Sequence, residues 1–403
     1  MALDRRTLLL IFLVALTLRG AFVATRGNDV AFPDSIEYDH LARSLLAGNG
    51  YQEQSSRQAS RAPGYPVFLA GCYALGLDSP RQVYAIQAIA DAAMCMLVAL
   101  LGRRLFGESA GVVAGLLAAC YPYFIFFCGL LLAESLFTLA LVGYILLLAR
   151  LKDRLAAGER GLALAAAAGL TAGALVHLRS SFLLMPLFLL PFLLWRRQGR
   201  ARMAGAWAVS MALMGLVMLP WIVRNYRVFE RFVPATLQVG ESLYEANSPH
   251  ADGGPAMDRI DWVAERGGVE MGEYDNNEYY KRAAVRWMRE HPGRMAALAV
   301  EKFKRFWNPL PNYGPYRRPL YAAVSLLAGV PLLILAAVGA LRRRGSAFGL
   351  LIGPVLYYTL MHMIFVGSVR YRIPVMPFVV LLAAAGAMHL RDWCARPVEA
   401  FHG

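Results

Sequence analysis

Residues 110–149 read AGVVAGLLAACYPYFIFFCGLLLAESLFTLALVGYILLLA, an apolar run carrying a single charge, Glu134. One helical crossing of a bilayer takes about 20 apolar residues, so the run predicts two spans. Tyr121-Pro122-Tyr123 supplies a helix breaker and aromatic residues suited to a membrane interface. Glu134 is then expected in the turn joining the two spans. Seen from that turn, the chain reads as a polytopic membrane protein.

Composition agrees. Of 403 residues 58% are hydrophobic and 17% charged, whereas soluble chains average about a quarter charged. A formal charge of +14 in a soluble chain would suggest nucleic acid, but here the arginines punctuate apolar spans at Arg103-Arg104, Arg196-Arg197 and Arg342-Arg343-Arg344. They read as cytoplasmic topology signals, with no nucleic-acid partner implied. The five cysteines have no metal-like spacing and mostly lie in apolar runs, so neither a zinc site nor a disulfide framework is expected.

Taken in order, a first span is predicted over residues 7–24, preceded by Arg5-Arg6 and read as a retained helix with its N-terminus in the cytoplasm. The first outer loop, 27–81, then holds two juxtamembrane helices. One starts near Asp34, with Asp34 as its cap and Gly48 as its stop; the other follows Pro63-Gly-Tyr-Pro66 and is too short to cross. Further spans follow over 82–101, within 110–149, and over 162–175, 182–195 and 203–223. Residues 1–223 thus form an N-terminal membrane module. Residues 224–319 form a small mixed outer region, with helices expected over 276–290 and 295–307, the latter basic, aromatic-edged and suited to the interface plane. Residues 320–403 return to membrane helices. The fold class expected is all-α, with about ten transmembrane helices and both ends inside.

The ionisable groups that this topology places on the outer side are Asp34, Glu37 and Glu134 as acids, with Arg61, Arg179, Arg224, Arg370 and Arg372 as cations. Each has a bland alternative. Asp34 and Glu37 form a capping box, Glu134 favours a helix start, and a lone outer arginine meets lipid headgroups. Asp91, midway along a span among alanines, reads as a buried acceptor at a close helix contact. As a set, carboxylates and guanidiniums at one membrane face suit transfer from a phosphate-linked donor: a carboxylate takes the proton of an attacking hydroxyl while guanidinium forks hold the departing phosphate. No P-loop, Ser/His/Asp order or GxGxxG opening a helix appears in the outer loops.

Several short pieces carry a resemblance: Asp34 with Glu37-Tyr38 and Gly48-Asn-Gly-Tyr51, Pro63-Gly-Tyr-Pro66, Gly102-Arg-Arg-Leu-Phe-Gly107 and Glu134-Ser-Leu-Phe137. Pro220-Trp221 with Arg224-Asn225-Tyr226, Asn247-Ser-Pro with Gly253-Gly254, and Arg370-Tyr-Arg-Ile-Pro374 complete the set. In order and membrane placement the sequence resembles the GT-C superfamily of polyprenyl-phosphate-sugar-dependent glycosyltransferases. The nearest group is the bacterial family-39-like one, related to protein O-mannosyltransferases and the lipid A aminoarabinose transferase. The resemblance implies a GT-C fold in the bacterial cytoplasmic (inner) membrane, with the active site facing outward. It implies hexosyl or pentosyl transfer from a polyprenyl-phosphate sugar to a lipid, glycan or protein hydroxyl. By motif position Asp34 becomes the catalytic base. Relatives often show adjacent Asp-Glu in this loop, whereas Asp34 and Glu37 stand three apart.

The expected division of labour is Asp34 as the catalytic base, Glu134 as the second catalytic carboxylate that orients its neighbours or the acceptor, and Arg61, Arg179, Arg224, Arg370 and Arg372 on the donor phosphate. Glu37 and Asn225 are kept as acceptor-side or structural residues. No cofactor is required; a divalent cation between outer carboxylates and phosphate stays open, without ligand spacing to specify it. The competing class is a transporter or flippase of a lipid-linked sugar, in which repeated halves with interrupted helices are common; no such repeat is visible. A non-catalytic membrane scaffold is the third class.

Overall fold

The computed structural model describes residues 3–28, 30, 32–195, 199–312, 318–342 and 346–394. The arginine pairs Arg196-Arg197 and Arg343-Arg344 lie outside the described residues. The helices run α1 (Arg5–Ala24), α2 (Pro33–Leu46), α3 (Gly64–Ala74), α4 (Pro80–Phe106), α5 (Glu108–Cys120), α6 (Pro122–Cys128), α7 (Glu134–Ala156), α8 (Leu162–Leu178) and α9 (Met185–Leu193). They continue with α10 (Arg200–Phe229), α11 (Val239–Ala246), α12 (Glu273–Glu290), α13 (Pro292–Trp307), α14 (Pro319–Arg342), α15 (Ser346–Ile364), α16 (Val369–Arg372) and α17 (Met376–Cys394). The outer region is therefore helices and loops, with no strand among the described residues, rather than mixed.

Among the described residues six helices are long and apolar enough to cross a membrane by length and composition. The pair α5–α6 passes the same test jointly, bent by 53°. Tyr121-Pro122 causes that bend, because a proline offers no N–H to continue the ladder. The turn between crossings falls later, at Gly129–Ala133. Three shorter apolar helices, Leu162–Leu178, Ser180–Leu193 and Phe348–Ile364, fall where the sequence predicts spans. The chain is a multi-pass, all-helical membrane protein.

Packing follows small residues. Helix α1 lies on α4 and α5, α4 on α7, α8 on α10, and α17 on α14 and α5. A Cβ on Gly339 would lie 2.0 Å from the Leu382 carbonyl oxygen and one on Gly386 2.1 Å from that of Leu335, so α14 and α17 approach more closely than any side chain permits. Asp91 meets a partner the sequence reading did not name. Arg19 Nε donates to its Oδ1 at 2.6 Å, and Arg19 Nη1 donates to the carbonyls of Ala15 and Ala119, all in a fully enclosed setting. The pair ties α1 to α4 and α5.

The outer segments lock onto one another. Loop residues 51–61 are held from three sides. Arg57 pairs bidentately with Glu241 at 2.6 and 2.7 Å, and Glu273 accepts from the Gln58 and Ala59 amides at 2.7 and 3.0 Å. Arg224 donates to the Gln58 and Tyr51 carbonyls at 2.6 and 3.0 Å. Residues 364–372 are held by α13. Buried Lys302 donates to the Ile364 carbonyl at 2.8 Å and to Asn247 Oδ1 at 2.7 Å, and Arg372 Nη1 donates to the Phe306 and Asn308 carbonyls, both at 3.1 Å. Gly367 fits because a Cβ there would lie 2.3 Å from the Lys302 carbonyl oxygen.

Candidate active site

Five segments converge at one end of the helical bundle. Helix α2 supplies Asp34, the end of loop 51–61 supplies Arg61, and the first residue of α7 is Glu134. Arg179 ends α8, and α16 supplies Arg370. Helix α2 begins two residues earlier than expected. Pro33, favoured at the first helical position, makes Phe32 the N-cap, so Asp34 sits in the first turn and caps nothing. Its carboxylate is free to turn toward the arginines. Glu37 completes no capping box either; it accepts from the Gln54 amide at 2.8 Å.

Arg370 is the bridge. Its Nη1 donates to Asp34 Oδ2 and its Nε to Glu134 Oε1, both at 2.5 Å. Arg61 Nη1 lies 2.8 Å from Asp34 Oδ1, and Arg179 Nη1 donates to Glu134 Oε1 at 2.8 Å. The two carboxylates thus share three guanidiniums, a local surplus of one positive charge. Exposure grades across the cluster: Glu134 is fully enclosed, Arg179, Arg61 and Arg370 keep 17–22% of their side chains exposed, and Asp34 keeps 27%. Asp34 is therefore the acid that an incoming group reaches, and Glu134 is the floor that anchors two cations. Glu134 Oε2 is buried without a hydrogen-bond partner.

Aromatic rings wall the cations. Arg61 lies 5.4 Å from the Tyr38 ring, and Arg179 lies 5.9 Å from Phe137 and 5.6 Å from Tyr371. These are cation–π distances that grow in worth where water is excluded. Tyr371 stacks on His362 at 4.7 Å, and His362 stacks in turn on Phe306 of α13. Tyr38, Phe137 and Tyr371 belong to pieces that carry the resemblance, but a motif of charges gives them no role; Tyr38 comes one helical turn after Asp34 and Tyr371 stands beside Arg370.

Burial pushes the Asp34 carboxyl up, but Arg370 and Arg61, with a smaller part from Arg179, outweigh it and hold the group well below the usual carboxylate range. Burial likewise pulls Arg61 down, and Asp34 more than restores it. Asp34 is thus firmly ionised, and as a proton acceptor it is weak so long as both guanidiniums stay on it.

Of the residues singled out in the sequence, Asp34, Glu134, Arg61, Arg179 and Arg370 come together; Arg224, Arg372, Asn225 and Glu37 do not join them. Arg224 spends its donors on loop carbonyls and on Asn225 Oδ1. Asn225 is buried and donates to the Val233 carbonyl at 3.1 Å. Arg372, also buried, holds the C-terminal end of α13. Asn247 and Gly253, quoted above for their resemblance, anchor the Arg370 segment through Lys302 and through Gly367, whose amide donates to the Gly253 carbonyl at 3.0 Å. Asn277, unremarked in the sequence, accepts from the Gly240 amide and joins α11 to α12.

A divalent cation finds no ready cage. Among the described residues no group of three His, Cys, Asp or Glu side chains is placed to hold one. Both clustered carboxylates already face guanidiniums, whose charge opposes a metal.

All-helical and multi-pass, with carboxylates and arginines gathered at one end, the chain shares its polytopic fold with solved oligosaccharyltransferase structures. Residues 60–223 match the family model of dolichyl-phosphate-mannose-protein mannosyltransferases, a segment that carries Arg61, Glu134 and Arg179. Comparison with curated proteins gives no match. Among solved structures it is similar to the oligosaccharyltransferase AglB of Archaeoglobus fulgidus in complex with an inhibitory peptide and a dolichol-phosphate. That match has 16% identity and a TM-score of 0.63, over 96% of this chain and 50% of that one. The same enzyme in complex with Zn and sulfate gives 16% identity and a TM-score of 0.61, over 96% and 49% of the two chains. ArnT from Cupriavidus metallidurans bound to undecaprenyl phosphate gives 15% identity and a TM-score of 0.48, over 95% and 78%. The chain spans about half the length of the AglB structures it matches.

Proposed function

We propose that the protein is a glycosyltransferase of the cytoplasmic membrane that moves a sugar from a polyprenyl-phosphate donor to an acceptor hydroxyl on the outer side. The observation that carries this reading is the bridged cluster: an accessible carboxylate, Asp34, joined through Arg370 to a buried one, Glu134, with Arg61 and Arg179 completing a net positive floor. The surplus charge favours a bound anion, and the arginines offer forked donors matched to phosphate. The acceptor oxygen attacks the sugar carbon bonded to phosphate, and its proton passes to Asp34. The carbon–oxygen bond to the donor breaks, and its electron pair leaves on the polyprenyl phosphate, where Arg370 and Arg179 meet the developing charge. Glu134 holds those two cations in place. The outward orientation is supported by Arg103, Arg104, Arg150 and Arg154, which lie at the opposite helix ends from the cluster.

The test uses host membrane vesicles supplied with a panel of tritiated undecaprenyl-phosphate hexoses and pentoses. Asp34→Asn abolishes transfer while undecaprenyl phosphate still binds. Transfer by that variant at the wild-type rate would overturn the assignment.

A further inference from the structure

Asp34 is a poor base in the arrangement just described, because Arg61 occupies Oδ1 and Arg370 occupies Oδ2. Taking a proton requires that at least one guanidinium withdraw, and a cation leaving its carboxylate in a partly enclosed site is costly unless another takes it. Arg370 has such a second partner in Glu134, already bonded through Nε. Arg61 has one too. Glu53 Oε1 stands 4.0 Å from Arg61 Nε, about 1 Å beyond a hydrogen bond, and that Nε is buried and makes none.

Glu53 is fixed for this role. Its side chain is 5% exposed, its carboxylate receives the Ser60 hydroxyl, and its amide donates to the Arg57 carbonyl at 2.8 Å. The loop that carries it is clamped by Glu241, Glu273 and Arg224. We infer that Glu53 is a positioning residue that takes the Arg61 guanidinium as the acceptor reaches Asp34, freeing Oδ1 to receive the proton. The inference rests on the reading of Asp34 as base and adds what makes that base competent. Arg61 rotates from one carboxylate to the other without being left unpaired, and the surplus charge of the floor stays in place for the phosphate. Burial pushes the Glu53 carboxyl up and the Ser60 hydrogen bond and Arg61 pull it down, so Arg61's approach favours its ionised form.

The experiment places the full chain in nanodiscs for binding and in host vesicles for turnover, using whichever tritiated undecaprenyl-phosphate sugar the wild type transfers. Glu53→Gln lowers kcat at least tenfold, with the donor KM and the affinity for undecaprenyl phosphate within twofold of wild type; Glu53→Asp recovers most of the rate. The acid limb of kcat moves to lower pH in Glu53→Gln, because Arg61 stays on Asp34. The groups facing Asp34 are otherwise the same: Tyr38 of its own helix, Glu134, Arg179, Arg370 and Tyr371. Wild-type kcat in Glu53→Gln, with Asp34→Asn inactive, overturns the inference and leaves the base assignment standing. So does a parallel loss of undecaprenyl phosphate binding, which would make Glu53 a support of the loop alone. An active Asp34→Asn would instead strike at the base assignment itself.

Discussion

Glu134→Gln separates the charge of the buried acid from its shape. In the native site Oε1 accepts N–H groups from both Arg370 and Arg179 while the side chain is wholly enclosed. Glutamine keeps a carbonyl for one neutral hydrogen bond, worth about 0.5–1.5 kcal/mol net. It also sets two N–H groups where Oε2 had no donor to meet, and it leaves three guanidiniums against Asp34 alone. Removing one partner of a buried ion pair costs about 3–5 kcal/mol. Because Arg179 and Arg370 retain 17% and 22% exposure, water relieves part of the excess and the lower end, about 3 kcal/mol, applies. The measurement is unfolding of the detergent-solubilised protein followed by tryptophan fluorescence, for Glu134→Gln, Arg179→Met and the double variant. Removing both partners spares the stranded cation, so the double variant is less destabilised than the sum by at least about 1 kcal/mol. A Glu134→Gln protein within about 0.5 kcal/mol of wild type, or strict additivity, would refute the claim that Glu134 is the anchor of the floor.

Arg370→Lys leaves a point charge where Nε and Nη1 served two carboxylates; affinity for undecaprenyl phosphate falls about tenfold, roughly 1.4 kcal/mol, and unchanged affinity in nanodisc titrations counts against a phosphate role. Arg224→Met frees the Gln58 and Tyr51 carbonyls and lets Arg61 drift, lowering kcat about tenfold or more while undecaprenyl phosphate binding holds; an equal loss of binding would restore the phosphate role that the sequence suggests for Arg224. Lys302, lowered to about 8 by burial, gives a pH signature. Below pH 8 both folded and unfolded chains hold its proton and the burial penalty is complete. Between about 8 and 10.4 the unfolded chain holds a proton the folded one has released, so this group's contribution to stability rises with pH. The stability difference between wild type and Lys302→Met, measured from pH 7 to 10, therefore moves in favour of wild type; a flat difference refutes it.

The five clustered residues were legible because a charge at the end of an apolar segment is a one-dimensional fact, and topology assigns it a side of the membrane. What each charge points at is not one-dimensional. Arg370 and Arg372 sit two residues apart on the same short helix, yet one bridges carboxylates and the other holds carbonyls of α13. Nothing local distinguishes them, because the choice is made by α13, far back in the chain. Arg19 escaped for a related reason: only the packing of α1 on α4 brings it to Asp91. The start of α2 was legible and misread, since Pro33 already favours the first helical position and so displaces Asp34 from the cap.

Glu53 had no signal at all, lying in a polar loop with no period or motif, and it gains meaning only from where Arg61 is held. That placement shows how residues 224–319 bear on the site. Arg224, Glu241 and Glu273 fix the loop that aims Arg61, while Lys302 and the Phe306 and Asn308 carbonyls fix the segment that aims Arg370. The two cations on Asp34 thus take their bearings from the outer region rather than from the spans. A carboxylate gripped by two independently anchored guanidiniums is held in geometry and depressed in basicity by the same contacts. Rate then depends on how readily one of them has somewhere else to go, and that is a property of the anchors as much as of Asp34.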